Sequence, residues 1–321
     1  MINNKLVILV GKDGRPSMKG VYTKMKNNSE LWVRRKLDDF KLFWRIYTNS
    51  LVDKYDKNLN PIPDFSNNIV VRWGNRIEAI LTNAIVYNKA KNIELATNKF
   101  LARKTMLENG VSCPILYYPT IDNLDLLKYP VIARPYYHAK GKNFIVLNDK
   151  IELRNFIDTN KNSLDSWYYS EFIDKIKEFR IHVAHGRILN YLEKPNPNNG
   201  NLAWNRAQNG QAFSNVKWSD YNNIICYESI KAINSLGLDF GGVDIILDNK
   251  GRAYVLEVNT AATLASSEYS MERYAMYFDW LCKTNKRREH WPLEVFEKAS
   301  NYAWHTYHFE DRKPNKLNKK K

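Results

Sequence analysis

The sequence predicts an α+β protein with an α/β unit at its N-terminus, on three observations. The β-rich runs "KLVILVG" (residues 5–11) and "NIVVRWGN" (68–75) bracket helix-like and polar segments, the pattern of a small α/β layer over residues 1–87. Short strand-like runs then recur in "VSCPILYYPT", "YPVIARPYYHAKGKNFIVL" and "WYYSEFIDKIKEFRIHVAHGRILNYLEKP", read together as one mixed sheet. Finally, Val243 to Asp248 and Ala253 to Val258 flank the turn Asn249-Lys250-Gly251-Arg252 and read as a hairpin.

The remaining elements follow in order. "GKDGRP" after the first strand resembles a strand-to-loop passage over a ligand, but lacks the spacing of a phosphate loop. "NKAKNIELATNKFLARKTMLENG" has one helical period through Ile93, Ala96, Phe100, Leu101 and Leu107 and stops at Gly110, linking two domains. "EKPNPNNGNLAWNRAQNG" reads as a polar loop, and a helix runs from about Asn222 to Leu236. "PLEVFEKASNYAWHTYHFED" reads as an aromatic helix and "KPNKLNKKK" as a disordered basic tail. No internal repeat is visible.

With 321 residues, 44% of them hydrophobic, the chain can bury a large core and divide into two or three domains. No apolar run reaches the length of a membrane span, and the N-terminal run is too short for a signal peptide, so a cytoplasmic location is expected. Cys113, Cys226 and Cys282 are few, odd in number and far apart, which fits reduced packing residues rather than a disulfide framework or zinc site. Against 34 acidic residues stand 49 Lys and Arg, a formal charge of +15. Polyanionic partners suit that balance, and so does a basic surface with no dedicated partner.

The hairpin places an acid on each strand. A four-residue loop sets Asp244 opposite Glu257, at a Cβ separation of about 4.5–5.5 Å where like charges repel. Side-chain alternation puts Asn259 on the same face as Glu257. Two carboxylates and an amide oxygen make a hard, oxygen-only cation site that suits magnesium. The alternative is an ordinary hairpin with a solvated acidic face.

The order of parts resembles the ATP-grasp superfamily, and within it the ribosomal-protein-modifying and glutathione-synthase-like carboxylate–amine ligases. The resemblance covers roughly residues 1–285 and is most specific from Tyr129 to Thr260. It implies two α+β lobes clasping ATP behind a Rossmann-like domain. Residues 1–87 would form that domain, 88–170 a linker helix and the N-terminal lobe, 171–285 the C-terminal lobe, and 286–321 a C-terminal helix and tail.

The resemblance implies that Asp244, Glu257 and Asn259 hold magnesium, two ions with manganese as a substitute. Arg134 stands where the family has a strand-end lysine, ahead of a closing loop with Lys140, Gly141 and Lys142. Arginine keeps the charge and changes its geometry. Glu171, Phe172 and Ile173 match the stretch that lines the adenine, and Glu178 the acid that holds the ribose. Arg180 would meet the acyl substrate or a phosphate, or else pair with Glu178 across strands. Lys99 matches another ATP-contacting lysine or belongs to a solvated helix face. Lys194, Asn205 and Arg206 flank the loop where relatives place basic residues near the γ-phosphate and acyl phosphate. "NTAATL" corresponds to the turn near the acceptor amine, with Ala262 where many relatives have proline. His138, His182 and His185 take no role.

The implied reaction is attack of a carboxylate on the γ-phosphate of ATP, then displacement of phosphate from the acyl phosphate by an amine. A kinase-like phosphotransferase and a silent nucleotide- or nucleic-acid-binding module are the alternatives. Arg72 and Arg76 of the N-terminal unit would receive an anion or lie on its surface. Neither acid nor amine is named by the sequence; an acidic peptide, a nucleic acid and a small metabolite remain open, and no membrane partner is implied.

Overall fold

The computed structural model describes residues 5–11, 15–25, 29–36, 42–47, 54–55, 64–76, 79–118, 121–136, 144–162, 166–196, 213–264 and 267–284. The segments expected as a C-terminal helix and basic tail, together with His138, Lys140, Gly141, Lys142, Asn205 and Arg206, lie outside these residues.

The N-terminal unit contains β1 (Leu6–Val10), α1 (Arg15–Lys24), β2 (Ser29–Lys36), β3 (Leu42–Tyr47), β4 (Lys54–Tyr55), β5 (Ile69–Trp73) and β6 (Ile85–Tyr87). Its sheet runs β4-β3-β2-β1-β5-β6; β2, β1, β5 and β6 are parallel, and β3 and β4 turn back antiparallel. β1 and β5 are buried along their whole length, as parallel strands covered on both faces must be. The segment between the two apolar runs, expected to be helix-like and polar, instead carries the strands "SELWVRRK" and "LFWRIY" after α1. Their interspersed Arg and Lys dilute the apolar alternation that announces a strand.

The expected single linker helix is two: α2 (Ala90–Thr97) and α3 (Lys99–Glu108). Asn98 breaks it. Its amide closes α2 on Glu94 O, while its side chain accepts from Leu101 N at 3.1 Å and caps α3. The rephasing leaves Leu101 44% exposed and turns Ala102 and Met106 inward. Gly110, at φ +70°, ends α3 in the left-handed conformation that favours glycine.

The strands expected to form one mixed sheet form two antiparallel ones. The smaller contains β7 (Leu116–Tyr117), β8 (Val131–Pro135), β9 (Ile145–Leu147) and β10 (Trp167–Glu171), ordered β7-β10-β8-β9, with α4 (Lys150–Asn160) packed on it. Its core holds Leu124, Val131, Ala133, Leu147, Leu153 and Tyr169. The chain passes through Phe172–Asp174 to the larger sheet, made of β11 (Lys175–Ala184), β12 (Arg187–Lys194), β13 (Ser214–Asn215), β14 (Phe240–Asp248) and β15 (Ala253–Asn259), in the order β13-β12-β11-β14-β15.

One face of the larger sheet buries Phe179, Ile181, Val183, Val243, Ile245 and Val255 against α5 (Asn223–Ser235) and the linker helices. At the start of α5, Asn222 accepts from Ile225 N at 3.1 Å. The opposite face meets α6 (Glu268–Thr284) and the N-terminal sheet around Phe240, Tyr274, Phe278 and Trp73. Trp73 stacks on Phe240 at 5.7 Å and meets Tyr274 edge-on at 4.9 Å. Cys113 and Cys226 are buried thiols and Cys282 is half-buried, and none of the three is in a disulfide. No helix among the described residues is long and apolar enough to cross a membrane.

Candidate active site

The site lies on the Phe240 face of the larger sheet, nearer the Asp248–Arg252 turn than the contact with α6, and two β-bulges assemble it. At the turn, Asp248 accepts from the amides of Lys250 and Arg252, both at 2.9 Å, and Gly251 takes φ +75°. Strand pairing begins at Leu247 opposite Ala253, one step earlier than a four-residue loop requires. Continued unbroken, that register would place Glu257 opposite Val243, whose side chain lies in the core. The register shifts instead between Asp244 and Ile245: Val255 pairs with Ile245, Glu257 with Asp244, and Leu256 has no partner on β14. This extra residue returns Glu257 to the open face, opposite Asp244. A second bulge, at Ile176 on β11, places Lys175 beside Glu178, where simple alternation would turn it away.

Positive charge does gather at the two acids, in the form of side chains. Arg180 grips Asp244 bidentately, Nε to Oδ1 at 2.7 Å and an Nη to Oδ2 at 2.8 Å. Lys194 lies between Asp244 (2.9 Å) and Glu178 (2.6 Å) and is 4% exposed. Glu178 has its second oxygen taken by Lys175. Thus Glu178 and Arg180 share a face without pairing with each other, and both oxygens of Glu178 are engaged by lysines. Phe213 covers the cations, its ring 5.5 Å from the Arg180 guanidinium and 5.7 Å from Lys194 Nζ. Glu257 accepts from Asn259 Nδ2 at 2.9 Å and faces Lys99 Nζ at 3.4 Å.

Burial alone would raise the Asp244 carboxyl, but Arg180 and then Lys194 outweigh it and hold the group well below the usual carboxylate range. At Glu257 burial is likewise outweighed, chiefly by Lys99, and the carboxyl is held down to about 2 despite the nearby Asp244. Both acids are therefore ionised at neutral pH. Two carboxylates and the Asn259 amide form an oxygen donor set that fits a hard divalent ion completing its shell with water and phosphate. Among the described residues no group of three or more His, Cys, Asp or Glu could hold a metal ion.

Across the cleft, β8 carries Arg134. Its Nε is enclosed without a hydrogen-bond partner, its guanidinium lies 5.5 Å from the Phe144 ring, and burial lowers its pKa. Among the described residues, Lys99, Arg134, Lys175, Arg180 and Lys194 face Glu178, Asp244 and Glu257, five cations to three anions. The expected adenine stretch lies at the junction of the two sheets: Phe172 N donates to Pro130 O (3.3 Å), Glu171 is bonded by Lys128 (3.3 Å), and Ile173 is half-buried. Lys140, Lys142 and Arg206 fall outside the described residues.

Beyond Asn259 the turn residues Ala261 and Ala262 are wedged between glycines. A Cβ on Gly74 would lie 2.6 Å from Ala261 Cβ, and one on Gly242 would lie 2.6 Å from Ala262 Cβ. Of the two N-terminal arginines, Arg72 is buried, with an Nη 3.4 Å from Asn75 O, while Arg76 is 47% exposed beside Glu94. His182 is fully buried against Tyr274 (3.2 Å) and burial lowers it to about 3, so it stays neutral.

Sequence reasoning missed Lys175, Phe213 and Arg103. The first is hidden by its bulge, and the second adjoins a long polar stretch. Arg103 reads as helix surface yet is 1% exposed.

Residues 88–274, more than half of the chain, match the family described as RimK-like ATP-grasp domain. A probable alpha-L-glutamate ligase of Parasynechococcus marenigrum (strain WH8102) is 26% identical over 191 residues, 57% of this chain and 40% of that protein. This chain thus spans well under half the length of that relative. Two solved structures share the fold. A Chryseobacterium gregarium RiPP-associated ATP-grasp ligase, in complex with ADP and a leader and core peptide, matches with a TM-score of 0.57 and 15% identity, over 89% of this chain and 98% of that one. The ATP-grasp ligase PsnB, complexed with a variant of its minimal precursor, Mg and ADP, gives a TM-score of 0.56 at 12% identity, over 86% and 97%. With its two antiparallel sheets carrying these acids and cations, the chain belongs to the RimK-like ATP-grasp family.

Proposed function

We propose that this protein is an ATP- and magnesium-dependent carboxylate–amine ligase that forms an amide through an acyl phosphate and releases ADP and phosphate. One observation carries the reading: Asp244 and Glu257 present ionised carboxylates and Asn259 a neutral amide oxygen on one sheet face, with Lys99, Arg180 and Lys194 against the two acids. An excess of positive charge suits a triphosphate whose charge a divalent ion cancels only in part.

Bound at Asp244, Glu257 and Asn259, magnesium would neutralise and orient the β- and γ-phosphates. Lys99 and Arg134 approach the same space from the linker helix and the smaller lobe and would take phosphate oxygens. Arg134 brings an unpartnered Nε–H to that task. Arg180 and Lys194, rigid on Asp244, would face the oxygens of the transferring phosphoryl group. A carboxylate oxygen bonds to the γ-phosphorus as the bond to ADP breaks. The amine nitrogen then bonds to the acyl carbon, phosphate departs, and the amine gives up a proton. No protein nucleophile is required.

We take one of the two substrates to be a peptide. The Chryseobacterium gregarium neighbour is in complex with a leader and core peptide, and the curated relative is called a glutamate ligase. The strongly basic chain suits an acidic partner. The test is calorimetric titration of ATP with and without magnesium into wild type and Glu257→Gln, followed by ADP-release assays pairing glutamate with acidic peptides. Magnesium-strengthened binding in wild type that the variant lacks supports the reading. Absence of both ATP binding and a magnesium effect in wild type defeats it.

A further inference from the structure

We propose that Arg103 is a positioning residue for the metal ligands: it holds the Leu256 bulge that turns Glu257 and Asn259 onto the site face. This inference rests on the ligase reading for its consequence, but its structural part stands without it.

Arg103 projects from α3 and is 1% exposed, and among the described residues it pairs with no acid. Fully buried arginines are rare unless paired, so its retention in this place asks for a task. Its guanidinium lies 5.7 Å from the Tyr168 ring, and one Nη donates to Leu256 O at 2.8 Å. Nε and the other Nη have no hydrogen-bond partner. The charged group thus makes its hydrogen bond to the carbonyl of the residue that has no partner on β14.

That carbonyl matters because β15 is the outer strand of its sheet. Where the bulge interrupts the ladder, an outward carbonyl enclosed by α3 would lie buried and unsatisfied. Arg103 satisfies it with a charge-assisted bond. Near the turn the same edge is held differently: Val255 N donates to Ser112 O (2.8 Å) and Ser112 Oγ to Ala253 O (2.6 Å). Ser112 therefore secures the half of β15 in the turn's register, while Arg103 secures the step out of it. Losing Ser112 Oγ would loosen an edge. Losing Arg103 removes the support for the shift that separates a site-facing Glu257 from a core-facing one.

The experiment compares wild type, Arg103→Met, Arg103→Lys and Ser112→Ala by hydrogen exchange of the ligand-free proteins over residues 253–260, and by the magnesium dependence of ATP binding. Arg103→Met is expected to speed exchange around Leu256–Asn259 and to raise the magnesium concentration for half-maximal strengthening of ATP binding by about 10- to 100-fold, the usual effect of removing support behind a metal ligand. Arg103→Lys keeps one donor and should fall between. Ser112→Ala should lower the melting temperature and leave the magnesium requirement near wild type.

If Arg103→Met leaves both exchange and magnesium requirement unchanged, or if Ser112→Ala shifts them as far, the inference is overturned. Should Arg103→Met fail to fold, Arg103→Lys decides by the same two readouts. Should wild type show no magnesium effect, the ligase reading fails separately, and exchange alone decides the role of Arg103.

Discussion

On the larger sheet, Arg180 and Lys194 lie against carboxylates that share their burial, at 2.7 Å from Asp244 and 2.6 Å from Glu178. Across the cleft Arg134 is enclosed among aromatic rings, with an empty Nε–H and no ion pair among the described residues. Both regions offer positive charge to the same space. In the first the charge is cancelled in advance, so its geometry is stiff and the fold depends on it. In the second it is offset only by Tyr168 and by Glu257 without an ion-pair contact, and an arriving anion would repay the cost of its burial. Substitutions on the two sides should therefore fail in different assays.

The largest effect is expected at Asp244→Asn. Removing this charge strands Arg180 and leaves Lys194 with Glu178 alone, and breaking a buried network this way costs about 3–5 kcal/mol. Urea denaturation should show it; a loss below about 1 kcal/mol would mean that solvent already screens the network and the contrast is wrong. Arg134→Met should behave oppositely, with unfolding free energy unchanged or raised and ATP affinity lowered roughly 10- to 100-fold, the worth of one or two charge-assisted bonds. Calorimetry and denaturation together check that split.

The acid limb comes third. Glu257 is held near 2 in the folded chain, against about 4.3 unfolded. Its contribution is present above the unfolded value and is lost as pH falls through the folded one. Stability should hold to about pH 5 and then drop, with roughly 2–3 kcal/mol of the fall assigned to Glu257. Glu257→Gln should flatten that part of the melting curve against pH. The smallest effect is reserved for Lys128→Ala, which removes a 75% exposed partner of Glu171 at the lobe junction. It should change stability by less than about 0.5 kcal/mol, and a larger change in melting would show that the junction too relies on fixed ion pairs.

How much of this was legible depended on whether local rules held. The α5 boundaries could be read because Asn222 caps it and its apolar period is regular. The opposition of Asp244 and Glu257 could also be read, although the route differs: the turn is one residue longer in register and the Leu256 bulge restores the pairing. Bulges leave no periodic trace in a sequence, and they also concealed Lys175. Arg103 and Lys99 share the stretch "KFLARK", where nothing local separates a buried cation from a solvated one. Only the packing of α3 on β15 does so. Asn98 split the linker helix because its short amide side chain serves a cap better than a helix interior. The strands β2 and β3 were missed because their Arg and Lys break the period-two pattern.

The capped outer edge of β15 has a consequence for the protein in a crowded solution. An outer strand with open carbonyls and amides is a template on which a second chain can add strand to strand, the first step of edge-to-edge aggregation. On β15, Ser112 occupies Val255 N and Ala253 O, Arg103 occupies Leu256 O, and the bulge bends the strand between them. Side chains and a neighbouring loop thus close an edge that would otherwise recruit other copies, at the same residues that aim Glu257.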